Sequence, residues 1–270
     1  ELINNPESNG IVVGIKGPMG TGKTTLVKDG ISKILNRPFQ FLPLAGIQDG
    51  SYLDGHSYTY DGSKHGKIVD ILIQTKCMNP IIYGDELDKV SGTSRGDEII
   101  GLLTHLTDTT QSSEFNDKYF SEINFNLNKV IYIFSYNDEE NISPILRDRM
   151  YKIETKGYSS QEKLIIAKKY LIPKIIKDLN SEQEIELTDE NIKYIINNFT
   201  NSEDGVRNLK RCLETIYKKI NLYKYIESDD DFKETYFKDI KVSKVLCDNT
   251  IEKLLGFMKK RDAVPFGMYN

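Results

Sequence analysis

A short β-branched run, Ile11 to Ile15, leads into Gly17-Pro18-Met19-Gly20-Thr21-Gly22-Lys23-Thr24, and from Gly22 the pattern turns helical, with Leu26, Ile31 and Ile34 on one side. Strand, Gly-rich turn and helix in that order leave few folds open, because they start a parallel sheet whose first crossover helix springs from the turn. Glycines let the backbone wrap closely, so consecutive N–H groups can point at phosphate oxygens. The helix that follows presents its first N–H groups and positive dipole end to the same anion. The pattern G-x-x-x-x-G-K-[ST] assigns Lys23 to the β- and γ-phosphates and the Thr24 hydroxyl to Mg²⁺, with Thr25 completing the nucleotide-binding set.

A second constellation agrees with the first. Pro80-Ile81-Ile82-Tyr83-Gly84-Asp85-Glu86 is an apolar strand that stops at two adjacent carboxylates. Asp85 is expected to hold Mg²⁺ through its water shell, and Glu86 to act as general base on the attacking water. Taken alone, the pair could equally be acids capping a strand end; the phosphate loop upstream favours the catalytic reading. Asn137, after the buried strand Val130 to Phe134, could orient that water, or be a turn asparagine.

The rest of the chain alternates in the same way. Phe39 to Leu44 reads as a strand, Gly46 to Gly66 as a long polar loop carrying Tyr52, Tyr58 and Tyr60, and Ile68 to Ile73 as a helix. A helix over Glu98 to Leu106 and a last strand over Met150 to Ile153 complete an α/β fold, a parallel sheet covered by helices on both faces. After Gly157 only helices are expected. Ser159 and Glu162 form a capping box ahead of Leu164, Ile165, Tyr170 and Leu171. Helical patterns follow over Asp189 to Phe199, Gly205 to Tyr223 and Thr250 to Lys259, with a solvated turn at Asp229, Asp230 and Asp231. These textures predict a nucleotide-binding domain over 1–156, a helical lid domain over 157–262 and a tail over 263–270.

Composition removes several function classes. A net charge of −4 and a pI near 5.6 give no support for a broad nucleic-acid face. No apolar run approaches the roughly 20 residues that span a bilayer, so no membrane partner is expected. Cys77, Cys212 and Cys247 are too far apart for a zinc or disulfide pattern, which suggests reduced cytoplasmic thiols. His56, His65 and His105 form no metal-binding pair. A first residue of Glu1, with no leader before the first strand, suggests an excised piece of a longer chain.

The segments Lys64 to Gly66, Asp85 to Lys89, Leu127 to Asn137, Asp148 to Met150, Gly157 to Pro173 and Gly205 to Leu209 resemble the ATPase part of Lon proteases, within the P-loop AAA+ class. The resemblance runs from about Ile11 to Leu255. It implies that Asn137 is sensor 1 and that Arg149 is the arginine finger of a neighbouring subunit's site. A finger is worth roughly 10³ to 10⁵ in rate. It also implies that Arg207 is sensor 2, carried by the lid, and that Tyr60 is the aromatic of a pore loop that grips unfolded protein substrates. Without the resemblance each arginine would read as an ordinary ion pair.

The sequence departs from the family at Arg147 and Asp61, where apolar residues are usual, and around Thr107 to Ser113, where the second pore-loop motif is missing. No Gly-Pro-Ser-Ala-Gly-like protease segment occurs, so no peptide-bond cleavage is expected of this chain. The implied assembly is a ring of identical subunits, a homohexamer, that couples ATP hydrolysis to pulling on proteins as the ATPase part of an ATP-dependent protease. A stand-alone remodeller, a nucleic-acid-associated AAA+ ATPase and a nucleotide-binding scaffold without turnover remain as alternatives.

Overall fold

The computed structural model describes residues 8–47, 49–59, 61–90, 94–180, 186–225 and 246–256. Its strands are β1 (Val12–Lys16), β2 (Phe39–Pro43), β3 (Ile81–Asp85), β4 (Phe115–Asn116), β5 (Asn124–Phe125), β6 (Ile131–Tyr136) and β7 (Tyr151–Glu154). Five of them form one sheet in the order β2-β3-β6-β1-β7 with every pairing parallel. β4 and β5 form a separate antiparallel pair.

The two-residue period of a strand explains why the central strands are apolar throughout. Ile81 and Tyr83 of β3, Ile131 and Ile133 of β6, and Val13 and Ile15 of β1 pack with Val27 on one face. Ile82, Tyr132 and Phe134 point the other way into a larger core with Leu42, Leu53, Ile68 and Ile99. A sheet buried on both faces cannot alternate apolar with polar residues. Each fully buried Ile or Leu stabilises by about 1.5–3 kcal/mol, so the middle of the sheet is its firmest part.

The three helices expected in this unit are present with shifted ends, and Pro144–Arg149 is a helix that was not expected. Helical turns run through Lys23–Thr25, a wider π-type stretch Leu26–Ile31 and Ser32–Leu35. Lys67–Thr75 and Ser94–Thr107 follow, then Pro144–Arg149, a short helix with proline in its first turn. The polar loop from Gly46 to Gly66 is less open than its composition suggests. It contains the helical turn Ser51–Asp54, with Leu53 fully buried. The buried Asp117 carboxylate accepts the Gly66 N–H at 2.8 Å and the Tyr119 N–H at 2.9 Å, which ties the base of the loop to the β4–β5 turn. Neither feature has a periodic signature in sequence, since each depends on one residue meeting a distant backbone.

The second unit is helical. Ser159 caps the helix that starts at Ser160, and Glu162 returns a bond to the Ser159 N–H at 2.7 Å. Helical turns continue through Ser160–Ile166, the π-type stretch Ala167–Leu171 and Ile172–Asp178, although Pro173 has no N–H to give. The wider turns lie just before the proline, where the Ile172 N–H reaches back five residues to the Ala167 carbonyl. Asp189–Phe199, capped by Thr188, joins Arg207–Tyr225 and Asp248–Leu255 around Leu164, Ile195, Leu213, Ile251 and Leu254. The expected last helix therefore begins two residues earlier than its periodicity indicated. Asp229 to Asp231, the end of the expected lid over 257–262 and the tail 263–270 lie outside the described residues. The loop tip Met19–Thr21 belongs with this second unit, and the remainder of the phosphate loop with the first. Among the described residues no helix is long and apolar enough to cross a membrane.

Candidate nucleotide site

β3, β6 and β1 are neighbours and run in parallel, so their carboxyl ends open on one edge of the sheet. That edge is where open α/β sheets bind ligands. β1 delivers Gly17, β3 delivers Asp85 and Glu86, and β6 delivers Asn137. The turn after β1 needs left-handed backbone at Gly22, where φ is 84°, immediately before the first helical residue Lys23. A side chain there would be strained, which accounts for the glycine of the motif.

Lys23 is half-buried among acceptors. Its ammonium donates to the Gly17 carbonyl, to Asn137 Oδ1 at 2.9 Å, and more weakly to the Pro18 carbonyl at 3.3 Å and the Tyr136 carbonyl at 3.5 Å. Burial pushes Lys23 below the ordinary lysine range, and the nearby Asp85, Asp88 and Glu86 carboxylates act against that shift. The lysine thus lies between the phosphate loop and the end of β6, where a chain of phosphates would meet both.

Beside it, four oxygen-bearing side chains meet. The Thr24 hydroxyl donates to Tyr83 Oη at 3.2 Å, and Tyr83 Oη donates to Asp85 Oδ1 at 3.4 Å. The Ser135 hydroxyl also donates to Asp85 Oδ1, and accepts the Glu86 N–H at 3.4 Å. Glu86 has φ 58° and ψ 49°, a left-handed conformation that costs a non-glycine residue of order 1–3 kcal/mol and is typical of functional turns. Asp88 is buried, and its Oδ2 accepts the N–H of Asp138, the residue after Asn137, at 3.4 Å. Its Oδ1 is buried without a partner.

Sequence patterns pointed to Lys23, Thr24, Asp85, Glu86 and Asn137, and the fold brings all five to one edge. They did not point to Tyr83, Ser135 or Asp88, which support that cluster. A hydroxyl and a carboxylate offer hard oxygen donors, which suit Mg²⁺. Among the described residues there is no group of three His, Cys, Asp or Glu that could hold a metal by itself. A cation here would therefore take its remaining ligands from phosphate oxygens and water, as Mg²⁺ usually does.

The other expected site residues lie elsewhere. Arg149 ends the helix Pro144–Arg149; it donates to the Thr104 carbonyl at 2.7 Å and pairs with Asp108 at 2.9 Å. With Asp108, Val12 and Tyr151 it lines a pocket of 620 Å³. Val12 and Tyr151 are the first residues of β1 and β7, so Arg149 is at the amino edge of the sheet. A five-residue strand, roughly 15 Å, separates that edge from the phosphate loop. Arg207 is the exposed first residue of the helix Arg207–Tyr225 in the second unit. In that unit the Gly20 carbonyl accepts the N–H of Val206, its neighbour, at 3.1 Å. Tyr60 lies outside the described residues.

Comparison with known proteins fits this geometry. The family described as ATPase family associated with various cellular activities (AAA) matches residues 13–158, and the Lon protease AAA+ ATPase lid domain matches residues 178–232. A Lon protease homolog of Acanthamoeba polyphaga mimivirus is 40% identical over 225 residues, covering 83% of this chain and 22% of that protein. The Lon protease of Clostridioides difficile is 41% identical over 219 residues, covering 81% of this chain and 27% of that protein. Lon protease 2 of Bdellovibrio bacteriovorus is 36% identical over 252 residues, covering 93% and 30%. The chain thus spans less than a third of the length of these curated relatives. A structure of a Thermotoga maritima RuvB mutant shares the fold, with a TM-score of 0.54 over 92% of this chain and 62% of that one, at 14% identity. With an AAA match over more than half of its residues, and a Lon lid after it, the chain belongs to the AAA family of ATPases as a Lon-type AAA+ ATPase module.

Proposed function

We propose that the module binds Mg·ATP at the carboxyl edge of its sheet and hydrolyses it, and that a ring of identical subunits uses the energy to unfold and translocate proteins. The observation that carries this reading is the convergence of Lys23, Thr24, Asp85, Glu86 and Asn137 at the ends of three adjacent parallel strands.

Gly17 to Gly22, with Thr25, wrap the phosphates, and Lys23 exchanges its loop carbonyls and Asn137 for β- and γ-phosphate oxygens. Thr24 and Asp85 hold Mg²⁺, which when bound neutralises phosphate charge. Glu86 accepts the proton of the attacking water, and Asn137, released from Lys23, orients that water. Transfer to water needs no acceptor hydroxyl, so an acid directly after the strand is sufficient.

The amino-edge position of Arg149 supports action in trans. An arginine side chain does not span roughly 15 Å, so Arg149 serves a neighbouring subunit's nucleotide and the working form is a ring, a homohexamer by family analogy. Arg207 serves as sensor 2, and Tyr60 as the substrate-gripping aromatic. Relatives named Lon protease support a parent that feeds a protease chamber, and Cys77, Cys212 and Cys247, none of them in a disulfide, suit a cytoplasmic setting.

The test is Mg²⁺-dependent ATP turnover with and without an unfolded protein, using Glu86→Gln as the blank. Turnover that rises with the unfolded protein and vanishes in Glu86→Gln, with ATP still bound, is the expected result. Equal turnover in both proteins would remove Glu86 from the mechanism.

A further inference from the structure

Tyr83 has a ring that packs as core and a hydroxyl that reaches the nucleotide site. On β3 it faces the same way as Ile81, toward Val27 in the helical turns that follow the phosphate loop. The side chain is fully buried, and Phe39 and Phe41 hold the ring, with centroids 5.9 and 6.0 Å away. A phenylalanine would bury the same surface. A buried hydroxyl costs free energy unless it is hydrogen-bonded, so its presence calls for partners.

Ser135 is one partner, and the other two are the groups assigned to the cation. Thr24 Oγ1 donates to Tyr83 Oη at 3.2 Å, and Tyr83 Oη donates to Asp85 Oδ1 at 3.4 Å. The chain of protons runs one way, from threonine to tyrosine to carboxylate, and each oxygen's role follows from that. Because the Thr24 proton is used on Tyr83, the Thr24 lone pairs are free for a cation. Ser135 donates to the same Asp85 Oδ1, so two donors fix that oxygen and Oδ2 is left as the metal-side acceptor.

We propose that Tyr83 is a positioning residue of the divalent-cation site, relaying a hydrogen bond from the Thr24 hydroxyl to the Asp85 carboxylate and so aiming both oxygens at the cation. The proposal rests on Thr24 and Asp85 being the cation-holding pair. Tyr83 touches neither nucleotide nor water in this role; it acts through the two ligands.

The experiment is binding of a fluorescent ATP analogue to the whole chain, titrated with Mg²⁺ and repeated in EDTA, for the parent, Tyr83→Phe and Tyr83→Leu. Loss of a supporting hydrogen bond raises the Mg²⁺ half-saturation about 10-fold in Tyr83→Phe. Affinity in EDTA should stay within about twofold, since the phosphate loop is untouched. Tyr83→Leu, which also lacks the hydroxyl, should show the same cation defect even if it melts lower. An unchanged Mg²⁺ half-saturation in Tyr83→Phe overturns the proposal. So does equal weakening with and without the cation, which would make Tyr83 a prop of the loop. A parent whose binding ignores Mg²⁺ altogether overturns the assignment of Thr24 and Asp85 as well, a result distinct from a cation-dependent parent with an unaffected variant.

Discussion

Gly84 sits one residue before Asp85, and its replacement by alanine measures how firmly packing places the acid. A Cβ there would lie 2.6 Å from Phe134 Cδ1 and 2.9 Å from both Phe134 Cε1 and Leu44 Cδ1. Carbon atoms pack best at about 3.5–4.0 Å, so something must move by roughly 1 Å. The obstacle is not a flexible tip. Phe134 is fully buried and stands directly opposite Gly84 in the β3–β6 register. Overpacking of this kind costs about 1–3 kcal/mol, and 2 kcal/mol lowers the melting temperature of a unit this size by roughly 4–8 °C. A strand that shifts to relieve the clash carries Asp85 with it, and a 1 Å misplacement of a catalytic group costs about 100-fold in rate. Calorimetry of the nucleotide-free chain and ATP turnover read the two effects separately. Phe134→Leu removes the Cε1 atom and should restore part of both losses in the double variant, with a coupling of about 1 kcal/mol or more. A Gly84→Ala protein that melts within about 1 °C of the parent and shows no coupling to Phe134→Leu would refute the reasoning.

Three further outcomes are expected. Lys23→Ala leaves phosphate charge uncompensated and should weaken ATP binding at least about 10-fold; an unchanged affinity in a binding titration contradicts the phosphate-loop assignment. Arg149→Ala should cut turnover at least about 10³-fold in the assembled ring while sparing ATP affinity. Mixing it with Glu86→Gln should recover activity, and no recovery speaks against action in trans. Burial pushes the Cys212 thiol up to about 11, while bonds with Thr250 lower Cys247, which is exposed. The thiolate is the reactive form, so near pH 8 a thiol reagent should label Cys247 first and Cys212 only on unfolding. Rapid labelling of Cys212 in the native protein would contradict its burial.

What was legible in the sequence is what local chemistry dictates. A phosphate loop has to be glycine-rich and must precede a helix, so Gly17 to Thr25 could be read without knowing the sheet. Asp85 and Glu86 end a buried strand and by themselves could equally cap it; the phosphate loop upstream is what made them legible as site residues. Arg149 was different. From its residue type it reads as an ion pair, and in the structure it does pair with Asp108. Its position at the opposite sheet edge from the loop is what lends weight to a role in trans, and only the resemblance to Lon ATPases had suggested one.

Tyr83, Ser135 and Asp88 were illegible for a common reason. Their importance depends on which strands are neighbours, and the order β2-β3-β6-β1-β7 puts β6 between two strands that precede it in the chain. Ser135 reaches Asp85 because β6 lies beside β3, and Asp88 reaches the Asp138 backbone for the same reason. Tyr83 looked like core because its ring is core. Its hydroxyl gains a second role because the helical turns from Lys23 to Leu35 cover the face of β3 that Tyr83 occupies, bringing Thr24 within 3.2 Å. The ligands of such a site follow from motif chemistry, whereas the residues that aim those ligands follow from packing. A variant such as Tyr83→Phe, silent by every rule of strand composition, therefore separates the two better than removal of a motif residue does.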